Sequence, residues 1–265
     1  MKWDITPLLR EWPHKPGQIN ARLIEGDDGM PRVQVRLDLG LLQMHADGRP
    51  DGERPFGHTS FLEYVEARID AEIAEVREAE PSVATEQPKV QSLTSDECRA
   101  LREEAAQYYQ RYVACLALED SDRVVRDTTR NLRVLDLCAE HAAEEHDKTV
   151  LEQFRPYIVM VRARALASAA IRDDELKAAV LALDDALELL KGHFADRGGT
   201  TAFEGAEEVR MLRAMREALA PKLPVSLKAE LRQRLQRAIE QENYELAAIL
   251  RDELKQLPDK DAPKA

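Results

Sequence analysis

Leu93–Leu118 reads LTSDECRALREEAAQYYQRYVACLAL, and its reading decides the fold class. Thr94-Ser95-Asp96-Glu97 fits a capping box, in which the first hydroxyl and the last carboxylate each accept a backbone N–H of the other's residue. Leu93 and Cys98 flank it as a hydrophobic staple. The pattern predicts a helix over 95–118. Four more are expected near 122–145, 149–171, 173–194 and 205–220, with breaks at Glu119-Asp120-Ser121, around His146-Asp147 and at Gly198-Gly199. Helices of this length joined by short turns imply antiparallel neighbours, here a helical domain over 94–222. Aromatic residues make up only 5% of the chain and helix formers dominate. The expected class is therefore mainly α with a small β part.

Within that domain two hairpins look alike. Tyr108-Tyr109, Tyr112 and Leu116 lead into a Leu-rich helix, as Tyr157, Val161, Ala165 and Ala169 lead into Ala178, Leu183 and Leu187. The spacing is longer than a tetratricopeptide repeat. The small residues Ala165, Ala169 and Ala178 resemble the close helix contacts of that family, so the domain is read as TPR-like. Upstream, 81–93 has the composition of a linker. Over 59–80, Leu62, Val65, Ile69, Ile73 and Val76 form one stripe of an amphipathic helix. The stripe is either a short coiled coil or packing inside the molecule. Residues 1–58 differ from everything after them. Gln18–Glu25 and Arg32–Leu39 flank Gly26-Asp27-Asp28-Gly29, which predicts a β-hairpin with Val33, Val35, Leu37 and Leu39 on one face. Leu41–Met44 is a candidate extension. A lone hairpin is marginal, so Trp3, Trp12, Leu8 and Leu9 are expected to fold over it.

At the other end, Leu227–Leu257 reads LKAELRQRLQRAIEQENYELAAILRDELKQL. Leu227, Leu231, Leu235 and Ile239 repeat every fourth residue on a first helix. Glu240-Gln241-Glu242-Asn243 supplies a turn, with Asn243 placed to cap a second helix. Leu231, Ala238-Ile239, Tyr244-Glu245, Ala247-Ala248, Arg251-Asp252 and Leu254 make this segment resemble the UVR motif. That motif is the helical hairpin shared by the repair proteins UvrB and UvrC, the kinase activator McsA and the ClpC chaperone. The resemblance implies a UVR hairpin over 224–258, followed by a disordered tail over 259–265. It also implies a docking role, with Tyr244, Leu246, Ala247, Leu250, Arg251 and Leu254 as partner-binding residues. The implied partners are UvrB- or UvrC-like proteins, a Clp-type unfoldase, or another UVR copy. The helicase-type ATPase of UvrB and the nuclease centres of UvrC leave no trace in this sequence. Nor does it have the paired cysteines that precede the hairpin in McsA.

The net charge of −12 argues against a general nucleic-acid binder, and the charges of the hairpin cancel. Cys98, Cys115 and Cys138 are widely spaced with no CxxC pair, which excludes a zinc ribbon and favours buried thiols. His141 and His146 are five residues apart, about 140° around a helix, and cannot chelate one ion. Arg123, Arg126, Arg130 and Arg133 fall at 3-4-3 spacing, opposite the apolar face of their helix. They form a candidate anion-binding stripe, unless Asp122, Asp127, Glu103 or other acids neutralise it.

No cofactor or metal is called for. No apolar run approaches a membrane span, and the N-terminus has no secretory signal pattern, so a cytoplasmic protein is expected. The leading expectation is a non-enzymatic adaptor that docks through its C-terminal hairpin. The alternative is an enzyme or small-ligand sensor on the N-terminal β-unit, which requires Asp38, His45 and Arg49 to share a pocket.

Overall fold

The computed structural model describes residues 4–79, 91–195, 197–219 and 227–256. Most of the expected linker and the whole expected C-terminal tail lie outside them, as does Trp3. The chain divides into two compact units, Met1–Arg216 and Glu217–Ala265.

In the first unit, α1 (Thr6–Glu11) precedes an antiparallel sheet of β1 (Asn20–Glu25), β2 (Pro31–Arg36) and β3 (Leu41–His45), in that order. The expected extension is thus a full third strand, pairing Val33 with Met44 and Arg36 with Leu41. Val33, Met44 and Ala46 are buried, and the sheet packs against the helix over 95–117 described below. The face expected for Val33, Val35, Leu37 and Leu39 stops short. β2 ends at Arg36, and Leu37 N–H donates to the Gly40 carbonyl, closing the turn into β3. Leu37 and Leu39 ride on that turn and are exposed. Across the sheet, Arg22 donates to Gln34 at 2.8 Å and Gln34 donates to Gln43 at 2.7 Å. Trp12 covers this ladder, with the Arg22 guanidinium 4.2 Å from its ring centre.

Next come α2 (Phe61–Ala79), α3 (Ser95–Ala117), α4 (Ser121–His141), α5 (Glu145–Thr149), α6 (Arg155–Arg172), α7 (Leu176–Ala195), α8 (Gly199–Gly205) and α9 (Glu207–Leu219). Both halves of the capping box form at Thr94. Of the long helices of this body, α4 packs on α3, α6 on α4 and α7 on α6. The helix expected over 122–145 stops at His141. There Ala142 becomes extended, and Leu93 exchanges hydrogen bonds with His141 and Ala143 across a short parallel bridge. The helix expected over 149–171 begins only at Arg155, with Pro156 in its first turn.

The α2 stripe packs inside the molecule. Leu62, Val65 and Ile69 share one core with Leu101 of α3, Leu135 of α4 and Ile158 of α6. α2, α3, α4 and α6 thus share one core within the unit Met1–Arg216. Burying apolar surface contributes roughly 25 cal/mol per Å², so helices that share one core cannot be separated without exposing it.

The second unit holds α10 (Leu227–Glu240) and α11 (Tyr244–Gln256), packed as a hairpin. No described helix is long and apolar enough to cross a membrane.

Candidate functional site

The hairpin is built around its turn. Asn243 N–H donates to the Ala238 carbonyl at 2.8 Å, and Glu242 N–H donates to Ile239 at 3.0 Å. This double closure ends α10, with Glu242 left-handed at φ 56° in the place glycine usually takes. The Asn243 side chain then accepts from Leu246 N–H at 3.2 Å. It caps α11 as the sequence suggests, satisfying one of the donors that every helix start leaves free.

Leu231, Ala238, Ala247 and Leu250 form a small buried core, with Leu235 and Leu254 packed on it. Ala238 and Ala247 are small, which lets the two helices approach closely. The expected stripe ends differently, because after Leu235 the inward position falls to Ala238. Ile239 instead faces outward, 46% exposed.

The six residues implied in partner binding thus divide. Ala247 and Leu250 are interior, and Leu254 packs against the interior. Tyr244, Leu246 and Arg251 face outward, Tyr244 at 68% and Leu246 at 37% exposure. Leu246 shares its side of α11 with Ile249, three residues on. Ile249 is 57% exposed and escaped the sequence analysis. The signal was available, because Leu246 and Ile249 lie off the stripe of Ala247, Leu250 and Leu254.

The arginine stripe is not an open face. Arg123 pairs with Asp120 and Asp47, Arg126 with Asp47 and Asp127, Arg130 with Glu104, and Arg133 with Glu66. Asp120 and Asp127 lie beside the stripe. The remaining acids come from the loop after β3, from α2 and from α3, which fold over this side of α4. Arg130 is buried, correcting its expected exposure. Burial pushes its guanidinium down, to about 9, and the charges of Arg133 and Arg49 add to the effect.

Beside it lies an ion pair that the sequence analysis missed. Arg111 and Asp127, both fully buried, meet in two parallel hydrogen bonds of 2.7 and 2.8 Å. Arg111 also donates to the carbonyls of His45 and Gly48, which fixes the β-unit to the helices. Glu104 accepts from the N–H groups of Phe61 and Leu62 at the start of α2. Leu101, Glu104, Tyr108, Arg111 and Cys115 share one helical face. Charges at apolar spacing were the signal.

Asp38, His45 and Arg49 do not converge. Asp38 sits in the turn before β3 beside His14, whereas His45 ends that strand and Arg49 pairs with Asp51 and Glu104. The three cysteines are buried and free. Burial pushes the Cys115 and Cys138 thiols up to about 12, and it also raises that of Cys98. His141 closes α4, His146 lies in α5, and no group among the described residues is arranged to hold a metal ion.

Residues 226–258 match the family described as the UvrB/uvrC motif. The C-terminal hairpin is accordingly a UVR motif, and it spans a minor part of the chain. No curated protein and no solved structure matches.

Proposed function

We propose that this protein is a non-enzymatic adaptor. In this account its helical body is a scaffold and its UVR hairpin is a docking arm for another protein. One observation carries the reading. The hairpin has the UVR sequence and a core of its own, yet it leaves Ile239, Tyr244, Leu246 and Ile249 at the surface. Apolar and aromatic side chains held outward on a rigid element are typical anchors for a partner. The interior residues Ala247, Leu250 and Leu254 act by holding the two helices in register.

The proposed partners follow from the motif: a UvrB- or UvrC-like repair protein, a Clp-type unfoldase, or a second UVR hairpin. Balanced charge on the hairpin and a chain charge of −12 favour protein over nucleic acid as the target. Three buried thiols fit a reducing compartment, and the cytoplasm is proposed.

Affinity capture with the whole chain, compared with a chain lacking residues 224–265, tests the proposal. Loss of a protein belonging to one of those classes on truncation supports the docking arm. Capture of the same proteins by both chains contradicts it.

A further inference from the structure

The strongest unassigned feature lies in the helical body, far along the chain from the hairpin. A cavity of about 400 Å³ opens between α3, α4 and the start of α6. That volume falls in the range of small-molecule sites. Its walls include Tyr109, Tyr112, Phe154 and Tyr157, with Ala105, Leu135 and Ile158 closing the apolar remainder. The rings are set at angles that leave a slot. Tyr109 meets Tyr112 edge-on at 5.4 Å between centres, and it lies 6.5 Å from Tyr157.

The polar groups of this cavity are few, and the phenols are without partners. No hydrogen bond among the described residues engages the hydroxyl of Tyr109, Tyr112 or Tyr157. Tyr112 is only 1% exposed, yet its hydroxyl is not one of the fully enclosed unpartnered atoms. Burial pushes the Tyr112 phenol up, and the neighbouring Tyr157 and Tyr109 phenols push it further. All three rings line the same cavity, with Tyr109 in ring contact with both Tyr112 and Tyr157. The other polar walls are already engaged. Asn131 donates to the Ala105 carbonyl and accepts from Arg130, while Arg102 is held by Asp147.

We infer that this cavity binds a planar aromatic small molecule, neutral or anionic, that carries a hydrogen-bond acceptor such as a carbonyl or carboxylate. The rings supply stacking and edge contacts, and the phenols supply donors for the acceptor. A cationic guest, which rings alone would welcome, finds no carboxylate among the lining residues to pair with it.

Naphthoate is a suitable probe, titrated calorimetrically into the full chain beside its trimethylammonium analogue. The expected result is saturable one-to-one binding of naphthoate and at least ten-fold weaker binding of the cation. Tyr112→Phe, which keeps the ring and removes one donor, should weaken naphthoate about five-fold, the effect of one neutral hydrogen bond. Ala106, exposed and lining the cavity, marks its rim. Ala106→Phe should abolish binding with an unchanged melting temperature. Absence of saturable binding at millimolar naphthoate would overturn the inference. So would tighter binding of the cation, or undiminished binding by the Ala106→Phe protein. If Ala106→Phe fails to fold, Tyr112→Phe decides alone, and unchanged affinity there counts against the site.

Discussion

The helical body and the C-terminal hairpin reach their folds by opposite means. The body spreads one core over α2, α3, α4 and α6, then ties the β-unit to it through charges removed from water. The hairpin has two helices, six apolar side chains in contact and a capped turn. In the body the most deeply buried charges, Arg111 and Asp127, are paired with each other. In the hairpin the apolar groups left over are displayed. A short element with so small a core is marginal alone. In the proposed reading, what it leaves at its surface, Ile239, Tyr244, Leu246 and Ile249, serves a partner.

Two perturbations of the body test this contrast most severely. A fragment of residues 94–222 lacks Leu62, Val65 and Ile69 and also the backbone groups that Glu104 and Arg111 hold. It should lose the cooperative thermal transition of the full chain in circular dichroism. A sharp transition would show that the body does not need α2. Within the full chain, Arg111→Met leaves the buried Asp127 carboxylate facing only the half-exposed Arg126 among the described residues, so the loss should sit at the low end of what a broken buried pair costs. Breaking a buried pair on one side typically costs roughly 3–5 kcal/mol, to be read from urea denaturation. Arg111→Met with Asp127→Leu should recover most of that loss, since an apolar pair of similar volume replaces both charges.

The hairpin should respond on a smaller scale, and one change should strengthen it. Glu242 holds a left-handed conformation that costs a non-glycine residue about 1 kcal/mol. Glu242→Gly should raise the stability of the hairpin by up to that amount, seen as greater amide protection in α10 and α11. Reduced protection would mean that the Glu242 side chain contributes more than its backbone strain removes.

The smallest expected effect is a pH dependence. Burial lowers the His193 pKa, and the Arg197 and Arg155 charges lower it further against the opposing pull of Glu152. A histidine whose folded pKa lies below its unfolded value binds fewer protons when folded. Its contribution is complete above the ordinary value near 6.5 and is lost as pH falls toward the folded pKa. Stability should therefore fall on acidification across that window, and His193→Gln should flatten this part of the profile. An unchanged slope in the variant would exclude His193 as its source.

Much of this contrast can be read in the sequence. The capping box at Thr94, the three-four spacing of the helices, the Asn243 cap and the UVR pattern are local signals, and local hydrogen bonds determine them. The breaks at Glu119 and Glu242 were legible from their polar runs, although each takes a left-handed residue that is not glycine. The early stop of α4 depends on Leu93, nearly fifty residues away along the chain. The arginine stripe had the right spacing, but acids from three other segments come to rest on it. Which apolar residues of the hairpin face outward depends on a register change at Ala238 that strict four-residue counting misses.

The central claim is that the outward residues of the hairpin dock while the inward ones only fold it. It is tested by comparing Leu246→Ala with Ile249→Ala against Leu250→Ala, measuring helicity and partner retention on the same preparations. The outward pair should leave circular dichroism unchanged and lower retention by at least ten-fold, as truncated anchors commonly do at roughly 1–3 kcal/mol each. Leu250→Ala should lower helicity and retention together, because it opens the core. Full retention in the Leu246 and Ile249 double variant, with its helicity intact, would contradict the claim.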